Sequence, residues 1–493
     1  MRIQDPRRGE AAASAAAAIV VQIPAHLKHL VAPIQKLVAT LDERTKQLRR
    51  DGSSVDYAAI ERQLAEQAAA IESAANLCAL EAVAVPAERI EVRGDLYTRV
   101  GAGLGTYRTM TGPVGLHRDI FRRVGERNGK TVDIISLRTG ALGDGWLPHT
   151  AQTMAHYLQL GTSREAVQAA RQVGRLPYSR ASFERVPHLV GALWLEHHAD
   201  IEDELIRDFV IPEGATSISV SLDRASVPME EVVQRPRGRP RKKAPKRHVA
   251  CVFHMAYCGT VTIHDKKGRA LHTLRRGQMP YCDPQDLCDM LANDVLRLRE
   301  KKANLPITLL ADGAPEMWNL LEANFPECVF GRVHRRIDFW HVIEKLAAAA
   351  KAIGKDDASR RAMVWQWRRL LRRRTDAAAT ILTELLACRR EQEEPNVAGS
   401  RPIHEAITYL QNNAERMCYA GAIRKGLPIG SGNVEATCKT LVGLRMKRCG
   451  SRWHNDTGNH VIHLRALALS DRWDDAMARL FATQRTSVRR RAA

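Results

Sequence analysis

The sequence lacks long apolar runs and paired cysteines, and each absence excludes a class of protein. No stretch of about 18 apolar residues occurs, so we expect no membrane-spanning helix. The ten cysteines are scattered without a C-x-x-C pair, so structural zinc is not expected and a reducing cytoplasm fits. The alanine-rich start is not expected to be a signal peptide, because Glu10 stands at its edge and no cleavage pattern follows.

Acidic residues are in deficit. The 493 residues contain 75 Lys and Arg against 55 Asp and Glu, a formal net charge of +20. Such an excess attracts polyanions and speeds encounter with them. An anionic membrane surface is the alternative partner, but no basic amphipathic anchor is obvious, so nucleic acid is favoured.

The periodicity of apolar residues changes along the chain and divides it into regions. Helical patterns come first, then short alternating segments, then helices again. A series of strands and helices follows, which predicts a mixed α/β sheet, and the remainder is helical and basic. The predicted regions are an N-terminal helical region (1–84), a small β-rich region (85–145), a helix-turn-helix-like region (146–205), a mixed α/β region (206–344), a helical block (345–425), a C-terminal helical part (426–484) and a basic tail (485–493).

The helix-turn-helix pattern depends on two helix starts. Residues 162–165 form a capping box, and after a break a short helix begins with Ser179, Arg180 and Ser182. A helix, a glycine-containing turn and a second helix are typical of a DNA-binding helix-turn-helix. The alternative is two packed helices without a DNA contact.

Three acids stand beside turns. Asp223 and Asp312 each follow a strand-like run, and Glu435 follows the Gly-Ser-Gly turn 430–432, whose glycines we expect to approach the sheet closely. Each acid has a structural alternative, as a turn residue, a helix cap or a partner of Lys439 four residues on. Carboxylates that converge repel each other unless cations lie between them. Two Mg²⁺ ions, replaceable by Mn²⁺, would remove that repulsion and support phosphodiester chemistry.

Four segments in this order resemble the Mutator-like DDE transposases, specifically the ISKra-type branch of bacterial insertion sequences. They are SVSLDRASVPMEE, LLADGAPEMW, RRIDFWHVIEKL and GSGNVEATCKTLVGLRMKRCGSRWH. The resemblance covers roughly residues 215 to 475. It implies an α/β RNase H-like catalytic core, made by 206–344 and 426–484 and interrupted by an all-α insertion at 345–425.

The resemblance also implies roles for particular residues. Asp223, Asp312 and Glu435 would be the catalytic acids and the metal ligands. Asp338 and His341 match the acid-x-x-His signature that supports the active site, although Asp338 also has the pattern of a helix cap.

Basic residues are the expected DNA contacts. Those that follow the third acid and would bind phosphates are Lys439, Arg445, Lys447, Arg448 and Arg452. Arg237 and Arg239 belong to an Arg-Gly-Arg-Pro segment that resembles an AT-hook for the minor groove, the alternative being a flexible loop. In WQWRRLLRRR (365–374) the arginines are suited to bind phosphates. Tryptophans with this spacing more often pack between helices than stack on bases.

The leading hypothesis is a DDE-type transposase in the bacterial cytoplasm, associated with the nucleoid. It would bind the terminal repeats of its element as double-stranded DNA, cleave the 3′ ends with Mg²⁺ and join them to target DNA. Two ends must meet, so a homo-oligomer is expected. The alternatives are a non-catalytic, domesticated DNA-binding regulator with the same fold and a structure-specific nuclease.

Overall fold

A computed structural model describes residues 21–50, 52, 54–232, 249–391 and 401–491. Within these ranges no helix is both long enough and apolar enough to cross a membrane. The chain forms two compact units. The first comprises Met1–Thr150, Ala170–Pro177 and Arg485–Ala493, and the second comprises Ala151–Ala169 and Tyr178–Gln484.

Helices predominate along the chain. They are α1 (Val31–Arg50), α2 (Tyr57–Val83), α3 (Ile134–Thr139), α4 (Pro148–Leu160), α5 (Ser163–Gln172), α6 (Arg180–Asp208), α7 (Pro284–Lys301), α8 (Pro315–Asn324), α9 (Glu327–Phe330), α10 (Phe339–Ile353), α11 (Asp357–Arg373), α12 (Ala377–Glu391), α13 (Arg401–Asn413), α14 (Tyr419–Arg424), α15 (Gly432–Thr437), α16 (Leu444–Met446), α17 (Asn455–Leu469) and α18 (Trp473–Gln484). Short 3-10 helices cover Ala25–Leu30 and Ala414–Arg416, and a π-helix covers Cys438–Gly443.

The strands form two sheets. They are β1 (Arg89–Val92), β2 (Asp95–Thr109), β3 (Gly112–Arg123), β4 (Thr131–Asp133), β5 (Ser217–Val232), β6 (Val249–His264), β7 (Ala270–Gln278), β8 (Ile307–Ala311), β9 (Val333–Ile337) and β10 (Val488–Arg491).

The first unit combines the predicted N-terminal helices with an antiparallel sheet of order β10-β1-β2-β3-β4. Ile90 and Phe121 are fully buried in one of its cores. The strand β10 lies in the segment predicted to be a basic tail. Its sequence carries no alternating apolar pattern, and its pairing with β1 and the ion pair between Arg491 and Glu91 provide the contacts that hold it.

The second unit is built on the predicted mixed sheet, with strand order β7-β6-β5-β8-β9. Strands β5, β6 and β7 are antiparallel neighbours, whereas β8 and β9 run parallel to β5. Strand β5 continues to Val232 because it pairs with β6 along its full length, so Asp223 lies within the strand and not at its end. The faces of the sheet are covered by helices over a core that includes Val220, Val261 and Leu309.

The block 345–425 is helical where it is described, from within α10 to α14. The loop expected in EQEEPNVAGSRP falls mainly on residues 392–400, which lie outside the described residues.

Helices α5 and α6 occupy the predicted helix-turn-helix region. The capping box is confirmed, because Glu165 N donates to Thr162 Oγ1 and Thr162 N donates to Glu165 Oε2. Ser179 is the N-cap of α6. Helix α6 is 29 residues long, however, and not the short helix that the sequence predicts. Its role in DNA binding stays a prediction.

Candidate active site

Asp223, within β5, and Asp312, directly after β8, both lie two residues beyond the point where the pairing of these parallel strands ends, and are therefore named the strand-end acids. The last register pair between β5 and β8 is Ser221 with Leu310. The parallel direction of the strands therefore brings both carboxylates to one edge of the β5–β8 pair. The sheet alone accounts for their proximity.

The two carboxylates influence each other electrostatically. Burial is the largest cause of the raised pKa of Asp223, and the negative charge of Asp312 raises the pKa further. Hydrogen bonds from Arg224 N, at 2.7 Å, and from the Cys438 thiol act in the opposite direction. Asp312 accepts a bond of 3.0 Å from Ala314 N. A carboxylate with a raised pKa beside a second acid is typical of a functional site.

Two further side chains lie close to Asp223. The thiol of Cys438, in the π-helix, is close enough to lower the pKa of Asp223, and Cys258, the register partner of Asp223 on β6, raises the pKa of that thiol. The charge of His341 is close enough to lower the pKa of Asp223, and its Nδ1 lies 3.4 Å from Glu344. Cys438 could not be identified from the sequence, because an isolated cysteine carries no spacing signal.

Asp338 joins three chain segments. Its Oδ1 caps α10 by accepting from Trp340 N and His341 N, at 2.7 and 2.9 Å. Its Oδ2 accepts from the backbone N and the hydroxyl of Ser431. Its own backbone N donates to Ala311 O, at the end of β8. The helix-cap alternative is therefore confirmed, and this buried carboxylate also ties the Gly-Ser-Gly turn to the strand that precedes Asp312.

Glu435 is not gathered with the other two acids. It lies on α15, its side chain is 52% exposed, and Oε1 is 2.5 Å from Lys439 Nζ. The structural alternative, a helix-start acid paired four residues on, is the arrangement observed. Within the described residues, no group of three or more His, Cys, Asp or Glu side chains is placed to hold a metal ion.

Glycine is required sterically after Asp312 but not at the Gly-Ser-Gly turn. A Cβ at Gly432 would meet nothing within 4 Å, and one at Gly430 would make only ordinary contacts of 3.5 Å or more. The expectation that these glycines permit a close approach is therefore wrong. At Gly313, by contrast, a Cβ would lie 2.4 Å from the ring of Tyr409.

Tyr409 brings the helical block to the strand-end acids. Burial raises the pKa of its hydroxyl, and the charges of Asp312 and Asp338 raise it further. Tyr409 and Trp318 line an open cleft of about 630 Å³ beside Gly313. The Trp318 indole donates to the backbone oxygen of Asp312 at 2.7 Å, which fixes the turn after β8.

Arg445 departs from its predicted role as a phosphate contact. Its side chain is buried, its Nε donates to Leu158 O at 3.0 Å, and its guanidinium lies 5.0 Å from the centre of the Trp453 ring. Burial, together with the neighbouring charges of Arg448 and Arg465, lowers its pKa to about 10. Arg445 therefore has a structural position that leaves it unavailable to a phosphate.

The other predicted phosphate contacts differ in availability. Lys447 and Arg452 are exposed, and neither has an ion-pair partner among the described residues. Arg448 pairs with Glu165, and Lys439 pairs with Glu435. Arg237 and Arg239 lie outside the described residues.

Comparisons with known proteins add little to this geometry. No family model matches the chain, and no curated protein matches it. Among solved structures, the Drosophila P element transposase strand transfer complex matches with 12% sequence identity and a TM-score of 0.24, covering 71% of this chain and 85% of that one. A TM-score this low establishes neither a shared fold nor a shared function.

Proposed function

We propose that the chain is a DDE-type DNA transposase with an RNase H-like core. It binds the ends of its element, cleaves DNA by metal-dependent hydrolysis of phosphodiester bonds and joins the 3′ ends to target DNA. The observation that carries the proposal is the pair of acids, Asp223 and Asp312, each two residues beyond the point where the pairing of two neighbouring parallel strands of a mixed sheet ends. The net charge of +20 supports DNA as the substrate.

The chemistry of the strand-end acids fits a hard divalent cation. Two carboxylates that repel each other in a half-buried position would bind Mg²⁺ or Mn²⁺, since oxygen ligands suit these ions. Glu435 fits a third ligand position only after it releases Lys439. Bound metal would supply an activated water or 3′-hydroxyl and stabilise the leaving oxygen.

The chain's own residues would orient this site. Asp338 connects the end of β8 with the turn that precedes Glu435, so it would set the distance between the second and third acids. Lys439 would hold Glu435 in its resting position, and the same ammonium group would become free for a DNA phosphate once Glu435 moves.

The ion pair between Glu435 and Lys439 is the observation that favours the alternative function, a non-catalytic DNA-binding regulator. In that case Glu435 would remain a surface residue and the two strand-end acids would have no partner ion. The two functions differ in cleavage and in metal binding, so both must be measured.

The test uses the purified chain and a supercoiled plasmid that carries the DNA flanking its gene. We expect nicking or cleavage with Mg²⁺ or Mn²⁺ and none with EDTA. Asp312→Asn should reduce cleavage at least about 1000-fold, because a metal ligand supplies several kcal/mol to the transition state. Binding of Mn²⁺, followed by electron paramagnetic resonance, should weaken in the same variant, while DNA binding should stay within about twofold.

The matched control is Asp357→Asn, the same substitution at the start of α11, where the carboxylate pairs with Arg360 at the surface. It should retain cleavage and Mn²⁺ binding. Full cleavage by Asp312→Asn would refute the metal assignment. DNA binding by the unmodified chain with neither cleavage nor Mn²⁺ binding would establish the regulator.

A further inference from the structure

The helical block carries a basic cleft that the predicted DNA contacts do not include. The cleft has a volume of about 530 Å³ and lies between α11 and Ile423 of α14. Its remaining lining residues all belong to α11 and are Trp365, Arg368, Arg369, Arg372 and Arg373. Four guanidinium groups therefore converge on one concave surface.

Among the described residues these arginines have no acidic partners, although neighbouring arginines do. At the two ends of the same helix, Arg360 pairs with Asp357 at 3.0 Å and Arg374 pairs with Asp376 at 2.5 Å. Within the described part of the chain, none of the four cleft arginines forms an ion pair. As far as the structure describes the chain, the cleft is thus positive and uncompensated, which is the electrostatic complement of a polyanion.

Two tryptophans on this surface are exposed and stacked with arginine. Trp365 is 62% exposed and Trp340 is 50% exposed. Arg369 lies 5.3 Å from the centre of the Trp365 ring, and Arg368 lies 4.7 Å from that of Trp340. By contrast, Trp367 is buried and its indole donates to Glu384. The expectation that tryptophans here pack in the interior holds for Trp367 alone.

The cleft continues towards the strand-end acids. Trp340 directly precedes His341, whose charge acts on Asp223. It also borders Gly430, where an added Cβ would lie 3.5 Å from its ring. A path of two exposed tryptophan rings and the half-buried Arg368 between them therefore runs from the Gly-Ser-Gly turn over Trp340 to Trp365.

We propose that this path binds a single, unpaired DNA strand. The guanidinium groups contact its phosphates, and the bases stack on Trp340 and Trp365. Exposed aromatic rings favour a single strand over a duplex, since bases in a duplex are already stacked on each other. The relevance of the strand to cleavage rests on the proposed function, whereas its binding requires neither metal nor the three acids.

The test measures fluorescence anisotropy of a labelled 20-nucleotide strand and of the corresponding duplex, with the whole chain and EDTA present. Arg369→Glu/Arg373→Glu should weaken single-strand binding at least about tenfold and reduce the slope of log affinity against log salt by about 1.4, the value for two phosphate contacts. Trp365→Ala should weaken single-strand binding about tenfold and change duplex binding little.

The charge-matched control is Lys355→Glu/Arg389→Glu, which alters two exposed cations outside the cleft. It should weaken binding less than the cleft variant. Circular dichroism and the melting temperature verify that each variant is folded. In the unmodified chain, an unlabelled strand should quench tryptophan emission, and Trp365→Phe should reduce that quenching.

Two results of the binding assays would overturn the proposal. One is an equal loss of single-strand affinity in the cleft variant and in the control. The other is an equal loss of duplex and single-strand affinity, together with no effect of Trp365→Ala. The absence of quenching would overturn it as well. A chain that binds the strand as expected but does not cleave DNA would leave this inference standing and remove the proposed catalysis.

Discussion

Two charged regions of the second unit contrast with each other. In the interior, Arg276 pairs with both Glu202 and Asp294, and all three side chains are buried. At the strand ends, Asp223 faces a second acid, Asp312, and no salt bridge to either is found among the described residues. In the interior cluster, opposite charges are paired. At the strand ends, two negative charges lie close together, and their repulsion lowers the stability of the fold. This difference supports the proposal that Asp223 and Asp312 are positioned for a cation or a substrate.

Removal of Arg276 is expected to have the largest effect. Arg276→Met leaves the buried Asp294 without its ion-pair partner, whereas Glu202 keeps Arg472, and the change should lower the free energy of unfolding by about 3–5 kcal/mol. Urea titration followed by tryptophan fluorescence measures this. Asp223→Asn is the comparison variant and should not destabilise the chain at neutral pH, because it removes a repulsion. Similar losses in both variants would abolish the contrast between the two regions.

Asp338 is expected to have an intermediate effect. Asp338→Ala removes the acceptor for four hydrogen bonds at a buried junction, and should cost about 2–3 kcal/mol in the free energy of unfolding. The exposed N-cap of α7 provides the control, since Asp283→Ala should cost only about 1 kcal/mol. If the two losses are equal, Asp338 acts as an ordinary cap and does not hold the Gly-Ser-Gly turn.

The smallest effect on stability is expected at Glu435. Glu435→Gln breaks an exposed ion pair with Lys439, so the urea midpoint should not change measurably. Plasmid cleavage should nevertheless be lost, if Glu435 leaves Lys439 to become the third metal ligand. Glu435→Asp, which keeps the charge, should retain part of the cleavage. Unchanged cleavage in the Gln variant would assign the third ligand to another residue.

Much of the architecture could be predicted from local patterns. Alternating apolar residues predicted the mixed sheet of the second unit, and the helical character of 345–425 was also predicted. The full length of β5 could not be predicted, because it depends on pairing with β6. The existence of β10 could not be predicted either, because its residues are mostly charged and its partner β1 is distant in sequence. The four-residue spacing of Glu435 and Lys439 was visible in the sequence, but only the folded chain shows that the pair forms.

The sequence by itself determined which residue types were present for chemistry: the acids Asp223, Asp312 and Glu435, and the excess of cations. Tertiary structure decided how these residues are used. The parallel pairing of β5 with β8 brings two acids together, contacts with Leu158 of α4 and with Trp453 leave Arg445 buried, and α11 exposes Trp365 while it buries Trp367. The physical reason is that burial and charge compensation depend on neighbours distant in sequence, which a local pattern does not encode.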